Sequence, residues 1–188
     1  VAKVRNGNAL ILIDIQEGFR DPIWGKRNNP NLESNVEVLL THWRKNKWPI
    51  YHVQHLSRNP NSPLHASHSG VEFMECAKPL LTEVIIQKSV NSCFIGTTLE
   101  SQLRGRKIQN LVFIGIASDH CVSTSTRMAA NLGFDCTVIS DATATFDRTG
   151  YDGVIYPADL VRAVNLASLH AEFATVIDMR GLLEASDE

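Results

Sequence analysis

Three residues far apart in the chain, Asp14, Lys88 and Cys121, carry side chains that together could do nucleophilic chemistry. A cysteine attacks as its thiolate, so the thiol needs a nearby group to take its proton and a positive charge to steady the sulfur. A carboxylate can act as the general base and an ammonium can lower the thiol pKa, which makes this trio a variant of a Cys-His pair with a carboxylate in place of the imidazole. Cys121 follows the turn Gly115-Ile-Ala-Ser-Asp-His120 and opens a segment with helical pattern. The partial positive charge of a helix N-terminus there also favours a thiolate. Each residue has a plainer use when taken singly. A cysteine is most often buried packing, an aspartate at a strand end caps a turn, and a lysine is a solvated charge. What sets the three apart is where the surrounding elements must place them.

Short apolar runs alternate with longer amphipathic segments, the pattern of βαβ units. Ala9-Leu-Ile-Leu-Ile-Asp14 reads as a first strand ending in a carboxylate, and Leu32 to Asn46 as a helix with Val36, Leu39, Leu40 and Trp43 on one face. Residues 49–54 give a second strand, Glu83 to Lys88 a third ending in the lysine, and Leu111 to Gly115 a fourth. Helices are expected over 98–104 and over 119–131, where Gly133 ends the latter. Cys136 to Ser140 makes a fifth strand, a polar loop covers 141–156, and Pro157 opens a helix to Glu172 with Leu160, Val161, Val164, Leu166 and Leu169 as its apolar face. Ala174 to Ile177 is the sixth strand. The expectation is an α/β fold: a three-layer α/β/α arrangement around a six-stranded parallel sheet, Rossmann-like in order 3-2-1-4-5-6, with residues 1–188 as one domain. In such sheets the binding crevice lies beyond the carboxyl ends of the strands. Asp14, Lys88 and Cys121 all fall at those ends. The stretch 57–72, rich in Ser, Pro, Asn, His and Gly, is long for a connection and is a candidate lid or rim.

Composition removes several alternatives. The 188 residues are 44% hydrophobic and 20% charged with a formal charge of -2, and no block of Lys or Arg suggests nucleic acid or a membrane surface. No apolar run approaches the ~20 residues of a membrane span. The stretch from Val1 to Gly7 has no apolar leader core, although Val1 could be a processing boundary. Cys76, Cys93, Cys121 and Cys136 form no CxxC pair, and reduced thiols in a cytoplasm are expected.

Three ordered motifs sharpen the reading: Leu12-Ile-Asp-Ile-Gln16 with Phe19, Ile86-Gln-Lys88 before Ser92-Cys-Phe94, and Gly115-Ile-Ala-Ser-Asp-His-Cys-Val122. Together they resemble the isochorismatase-like cysteine hydrolases, a superfamily that includes nicotinamidase, N-carbamoylsarcosine amidase and ureidoacrylate amidase. The resemblance runs from Ala9 to about Ile177. It implies Asp14, Lys88 and Cys121 as a catalytic triad, a cis peptide between Ile116 and Ala117, and an oxyanion hole from the backbone N–H groups of Ala117 and Cys121. It implies thiolate attack on an amide, release of amine or ammonia, and hydrolysis of a thioester. Nicotinamidases carry an Asp-x-His metal motif after strand two. Here that stretch reads Val53-Gln-His-Leu-Ser57 without the carboxylate, so neither metal nor cofactor is expected. Retention of Cys121 points to amide chemistry rather than the vinyl ether hydrolysis of isochorismatases proper.

Further candidates surround the triad. Phe19, Trp24 and Phe94 are expected as apolar pocket walls, and Gln54, His55 and His120 as substrate contacts. Asp119 reads as a helix N-cap, and Asp141 as a turn cap. Ser118, Asp119 and His120 are adjacent and so cannot converge as a serine-protease triad. The partner expected is a small-molecule substrate, with assembly as a homo-oligomer (dimer or tetramer) to which Trp24, Trp43 and Trp48 could contribute. The leading function is a metal-independent amidohydrolase acting on a small carboxamide or ureido C–N bond. The alternatives are an isochorismatase-type vinyl ether hydrolase and a thiol-based ligand-binding or redox-sensing protein.

Overall fold

The computed structural model describes residues 8–186; the stretch 1–7, with the leader and processing readings above, lies outside them. Strands β1 (Ala9–Ile13), β2 (Ile50–His55), β3 (Val84–Lys88), β4 (Asn110–Ile116), β5 (Asp135–Ala144) and β8 (Thr175–Ile177) form one sheet in the order β3-β2-β1-β4-β5-β8. All of its pairings are parallel. This is the expected order, with the sixth sheet strand numbered β8 because a small hairpin intervenes. That hairpin, β6 (Arg148–Thr149) and β7 (Ile155–Tyr156), falls in what reads from sequence as a loop. Strand β5 also runs on to Ala144, past Ser140 and Asp141.

The central strand β1 is buried at every position, and its side chains alternate between two apolar layers. Leu10 and Leu12 meet α1 (Leu32–Asn46), through Val36, Leu39, Leu40 and Trp43, and α5 (Met179–Ser186), through Leu182. Ala9, Ile11 and Ile13 meet the other layer, with Leu99 and Leu103 of α2 (Leu99–Gly105), Ala129 of α3 (Ser123–Asn131), and Leu166 and Leu169 of α4 (Ala158–Leu169). Helices therefore cover both faces, as an all-parallel sheet requires. No helix among the described residues is long and apolar enough to cross a membrane.

Two expectations about packing need correction. On α4 only part of the apolar pattern faces inward: Leu166 and Leu169 are buried, whereas Leu160 and Val164 are 50% and 60% exposed. Of the tryptophans offered as contact material, Trp43 is not available at the surface. Trp43 is fully buried and donates its Nε1 to Asn8 O, and Trp48 packs edge-on against it.

Candidate active site

The ends of β1, β2, β3 and β4 meet at one edge of the sheet, and each delivers a polar side chain there. Asp14 follows β1 directly, in the left-handed backbone region with φ 52°, which aspartate tolerates better than most residues. Lys88 closes β3 and His55 closes β2, paired side by side in register. Beyond β4 the chain turns through a cis peptide between Ile116 and Ala117 into a π-helical turn, Ser118–Val122, which carries Cys121. Gly115 permits this close approach. It lies opposite Ile13 with φ 129°, and a Cβ there would sit 2.0 Å from Ile13 O. The carbonyl of Ala117 anchors the turn by accepting from His120 N and Val122 N, both at 3.1 Å.

Lys88 Nζ is the hub of the site. It donates to Asp14 Oδ2 at 2.6 Å and to Cys121 Sγ at 3.4 Å, and it lies 3.0 Å from His55 Nδ1. Both side chains of the Asp14–Lys88 pair are fully buried. Burial opposes the charge on Lys88, but Asp14 and Cys121 beside it hold its pKa above the ordinary lysine value, so it is an ammonium. Asp14 Oδ1 has no hydrogen-bond partner and is a buried acceptor left open. The thiol does not behave as the helix-terminus reading expects. Burial pushes the Cys121 pKa up, the Asp14 carboxylate raises it further, and Lys88 opposes this without overcoming it. Burial and Asp14 thus favour the protonated thiol, whose proton must leave during reaction.

A cavity of about 190 Å³ opens onto these groups. Phe19, Trp24 and Phe146 form one wall, with Phe19 and Trp24 ring centroids 5.2 Å apart and Phe146 stacked on Phe19 at 6.0 Å. Trp24 Nε1 donates to Gly18 O at 2.8 Å, so the indole presents carbon to the cavity. Leu64, from the 57–72 stretch, lines it too, and that stretch is a rim stitched to the body by Glu17 N to Glu72 O and Gln16 Nε2 to Val71 O. Asn91, His120 and Arg148 also line the cavity, and Asn91 Nδ2 is 3.8 Å from Cys121 Sγ.

Several site expectations are met in position and others are not. Phe19, Trp24, His55, Ala117, His120 and Cys121 line the cavity with Asp14. Phe94 does not: it is buried and stacked on Phe134 at 6.0 Å, because its side of the chain faces the α2–α3 layer. Gln54 turns away as well, giving its amide to Val71 O and accepting from Gln87. Asp119 is no helix cap. Its carboxylate takes Arg148 Nε at 2.7 Å and Nη2 at 3.1 Å and also accepts from Thr145, which holds it below the usual carboxylate range against the opposing effect of burial. Asp141 does cap, but it caps α5: its Oδ1 accepts from Met179 N.

Asp14, His55 and Cys121 also form the one constellation among the described residues able to hold a metal ion, with ligand atoms all within 4.8 Å of one another. The ammonium of Lys88 sits within hydrogen-bond range of all three, so this chain supplies its own cation to that position.

This edge of the sheet, with its acid, ammonium and thiol, belongs to a chain that matches the Isochorismatase domain over residues 8–179. The protein is a member of the isochorismatase family. It is 45% identical to the uncharacterized isochorismatase family protein YrdC of Bacillus subtilis, across 90% of each chain. An isochorismatase-family crystal structure from Chromobacterium violaceum superposes with a TM-score of 0.94 at 37% identity, covering 98% of this chain and 96% of that one. A shorter stretch of 72 residues is 39% identical to the ureidoacrylate amidohydrolase RutB of Variovorax paradoxus, spanning 38% of this chain and 29% of the relative. The protein is thus an isochorismatase-family hydrolase.

Four lining residues of this hydrolase escape a reading of the sequence: Leu64, Asn91, Phe146 and Arg148. Three of them sit in loops with no periodic pattern, and Arg148 lies in the short β6 strand, whose two residues leave no strand pattern in the sequence. Gln16 escapes it as well, although it follows Asp14 by two residues. Fully buried, it donates to His55 O and accepts from His55 N, fixing the end of β2 against the end of β1.

Proposed function

We propose that this hydrolase is a metal-independent cysteine amidohydrolase that cleaves a small carboxamide or ureido C–N bond through a thioester. The observation that carries the reading is Lys88 bridging Asp14 Oδ2 and the Cys121 sulfur at 2.6 and 3.4 Å, with the Asp14 carboxylate within 4.8 Å of that sulfur and its Oδ1 taking no hydrogen bond from the other side chains. A buried carboxylate oxygen with no donor is costly in a purely structural ion pair. It has a use if it takes the thiol proton.

The steps follow from that placement. Asp14 accepts the proton from Cys121 as the sulfur bonds to the substrate carbonyl carbon, and Lys88 offsets the negative charge that remains on Asp14 or sulfur. The carbonyl oxygen of the tetrahedral species is held by the backbone N–H groups of Ala117 and Cys121. Asp14 returns its proton to the nitrogen, the C–N bond breaks, and amine or ammonia leaves. Water then gives a proton to Asp14 and adds to the thioester; the C–S bond breaks and the proton goes back to sulfur. The aromatic wall of Phe19, Trp24 and Phe146 excludes bulk water and accepts an apolar group, and the small cavity limits the substrate to a compact molecule. The partial likeness to a ureidoacrylate amidohydrolase is in keeping with this chemistry. A redox sensor, by contrast, works through an exposed thiolate; Cys121 is only 7% exposed and its thiol is pushed up by burial.

The test is ammonia release across a panel of small carboxamides and ureido compounds, with intact-mass detection of an acyl adduct on rapid quenching. The expected adduct maps to Cys121 and disappears in Cys121→Ala together with turnover. Undiminished ammonia release by Cys121→Ala would sink the reading, and silence of the wild type across the whole panel would favour an ether hydrolase.

A further inference from the structure

His55 contributes an element of recognition that follows from its neighbours. Its ring lines the cavity, and its Nδ1 lies 3.0 Å from Lys88 Nζ. An ammonium carries only donors, so the nitrogen facing it must be the acceptor. The ring therefore bears its proton on Nε2. The backbone of His55 is held on both sides of its Cα by one side chain: Gln16 Oε1 accepts from His55 N at 2.7 Å, and Gln16 Nε2 donates to His55 O at 3.0 Å. The imidazole is thus fixed in place by Gln16 and fixed in tautomer by Lys88. Burial first, and then the charge of Lys88, disfavour the imidazolium, with Asp14 acting the other way. Of the other polar groups around the sulfur, Arg148 is held by Asp119, while the Asn91 amide and His120 face the cavity beside His55. Lys88 is shared among Asp14, Cys121 and His55, and Trp24 gives its N–H to Gly18.

We infer that His55 is a specificity-determining donor whose Nε2–H reads a hydrogen-bond acceptor next to the scissile carbonyl, so that the substrate class is amides and ureides bearing a second oxygen or nitrogen acceptor there. This rests on the amidohydrolase reading above for the identity of the scissile bond, but the tautomer and the donor role are properties of the folded chain. A donor facing a wholly apolar amide would be desolvated without a partner, and that penalty falls on the poorer substrate. The selection therefore works by rejection as well as attraction.

Two measurements test it, one of which needs no turnover. Long-range ¹H–¹⁵N spectra of the Cys121→Ala protein at pH 7 are expected to show His55 as the neutral Nε2–H tautomer. Its Nε2 resonance should move on addition of pyruvamide and stay in place with isobutyramide, which has nearly the same shape but lacks the second acceptor. In the active enzyme, kcat/KM for pyruvamide should exceed that for isobutyramide by more than the keto group's own activation of the amide supplies, and His55→Phe should shrink that ratio roughly ten- to a hundredfold. An Nδ1–H tautomer, equal shifts with both amides, or a ratio that survives His55→Phe overturns the inference. Absence of hydrolysis across the whole carboxamide and ureido panel, alongside the expected spectra, removes the amidohydrolase reading and leaves the donor assignment standing.

Discussion

Two buried clusters in this protein are built from the same parts, a carboxylate, a cation and a histidine of β2. At the carboxyl end of the sheet are Asp14, Lys88 and His55; toward the other end are Glu83, Arg44 and His52. In the second cluster the carboxylate is filled. Glu83 Oε1 accepts from Arg44 Nε, and Oε2 accepts from Arg44 Nη2 and Leu80 N and pairs with His52 Nε2. Those partners outweigh burial and bring Glu83 down to about 2. In the first cluster one oxygen of Asp14 is left open next to a thiol. The difference teaches that composition does not distinguish a structural ion cluster from a reactive one. Satisfaction of the carboxylate does: one with both oxygens paired stabilises, and one with an oxygen left over beside a cavity has capacity to move a proton.

Substitutions at the two clusters should therefore separate activity from stability. The largest effect is expected at Cys121→Ala, with turnover falling by about 10⁴-fold or more while the melting temperature is unchanged or rises, as read by ammonia release and calorimetry. Asp14→Asn comes next. Turnover should drop about 10³-fold and alkylation of Cys121 by iodoacetamide should slow in parallel; alkylation at the wild-type rate would show that Asp14 is not the base. Glu83→Gln is the mirror image: it should cost about 1–3 kcal/mol of stability in urea unfolding and leave kcat/KM within about twofold. Because folding lowers the Glu83 pKa, its contribution is fully present above its ordinary value of 4.5 and is lost as pH falls toward about 2. The stability gap between wild type and Glu83→Gln should accordingly close over that window, and a gap that is constant with pH contradicts the assignment. The smallest effect is expected at Phe146→Leu, which removes a ring from the cavity wall. It should raise KM several-fold with little change in kcat, measured on the best substrate of the panel.

The two clusters also mark what could be read from the sequence. The sheet, its order and the placement of Asp14, Lys88 and Cys121 were legible because uninterrupted apolar runs ending in charged residues leave few alternatives for a parallel sheet. His55 could be placed at the end of β2 by counting along that strand. Its partners could not, because Gln16 reaches it only after folding brings the ends of β1 and β2 together. Phe94 misled for a related reason: nearness to Lys88 in sequence does not say to which side of the sheet a side chain turns, and its ring went to Phe134. The burial that pushes the Cys121 thiol up is not visible in the sequence, whereas the helix start that opposes it is. The π turn at Ser118–Val122 and the run of β5 past Asp141 leave no periodic trace that would predict them.

The rim of the cavity has one more consequence. Gly70 and Gly18 meet backbone to backbone: a Cβ on Gly70 would lie 2.8 Å from Gly18 Cα and 2.2 Å from Pro63 O. Two segments that close together, tied also by Gln16 and Glu17 to residues 71 and 72, cannot part without breaking several bonds at once. The 57–72 stretch that carries Leu64 is consequently a fixed wall rather than a flap, and compounds too broad for the cavity should fail to protect Cys121 from alkylation even when their reactive end is ideal.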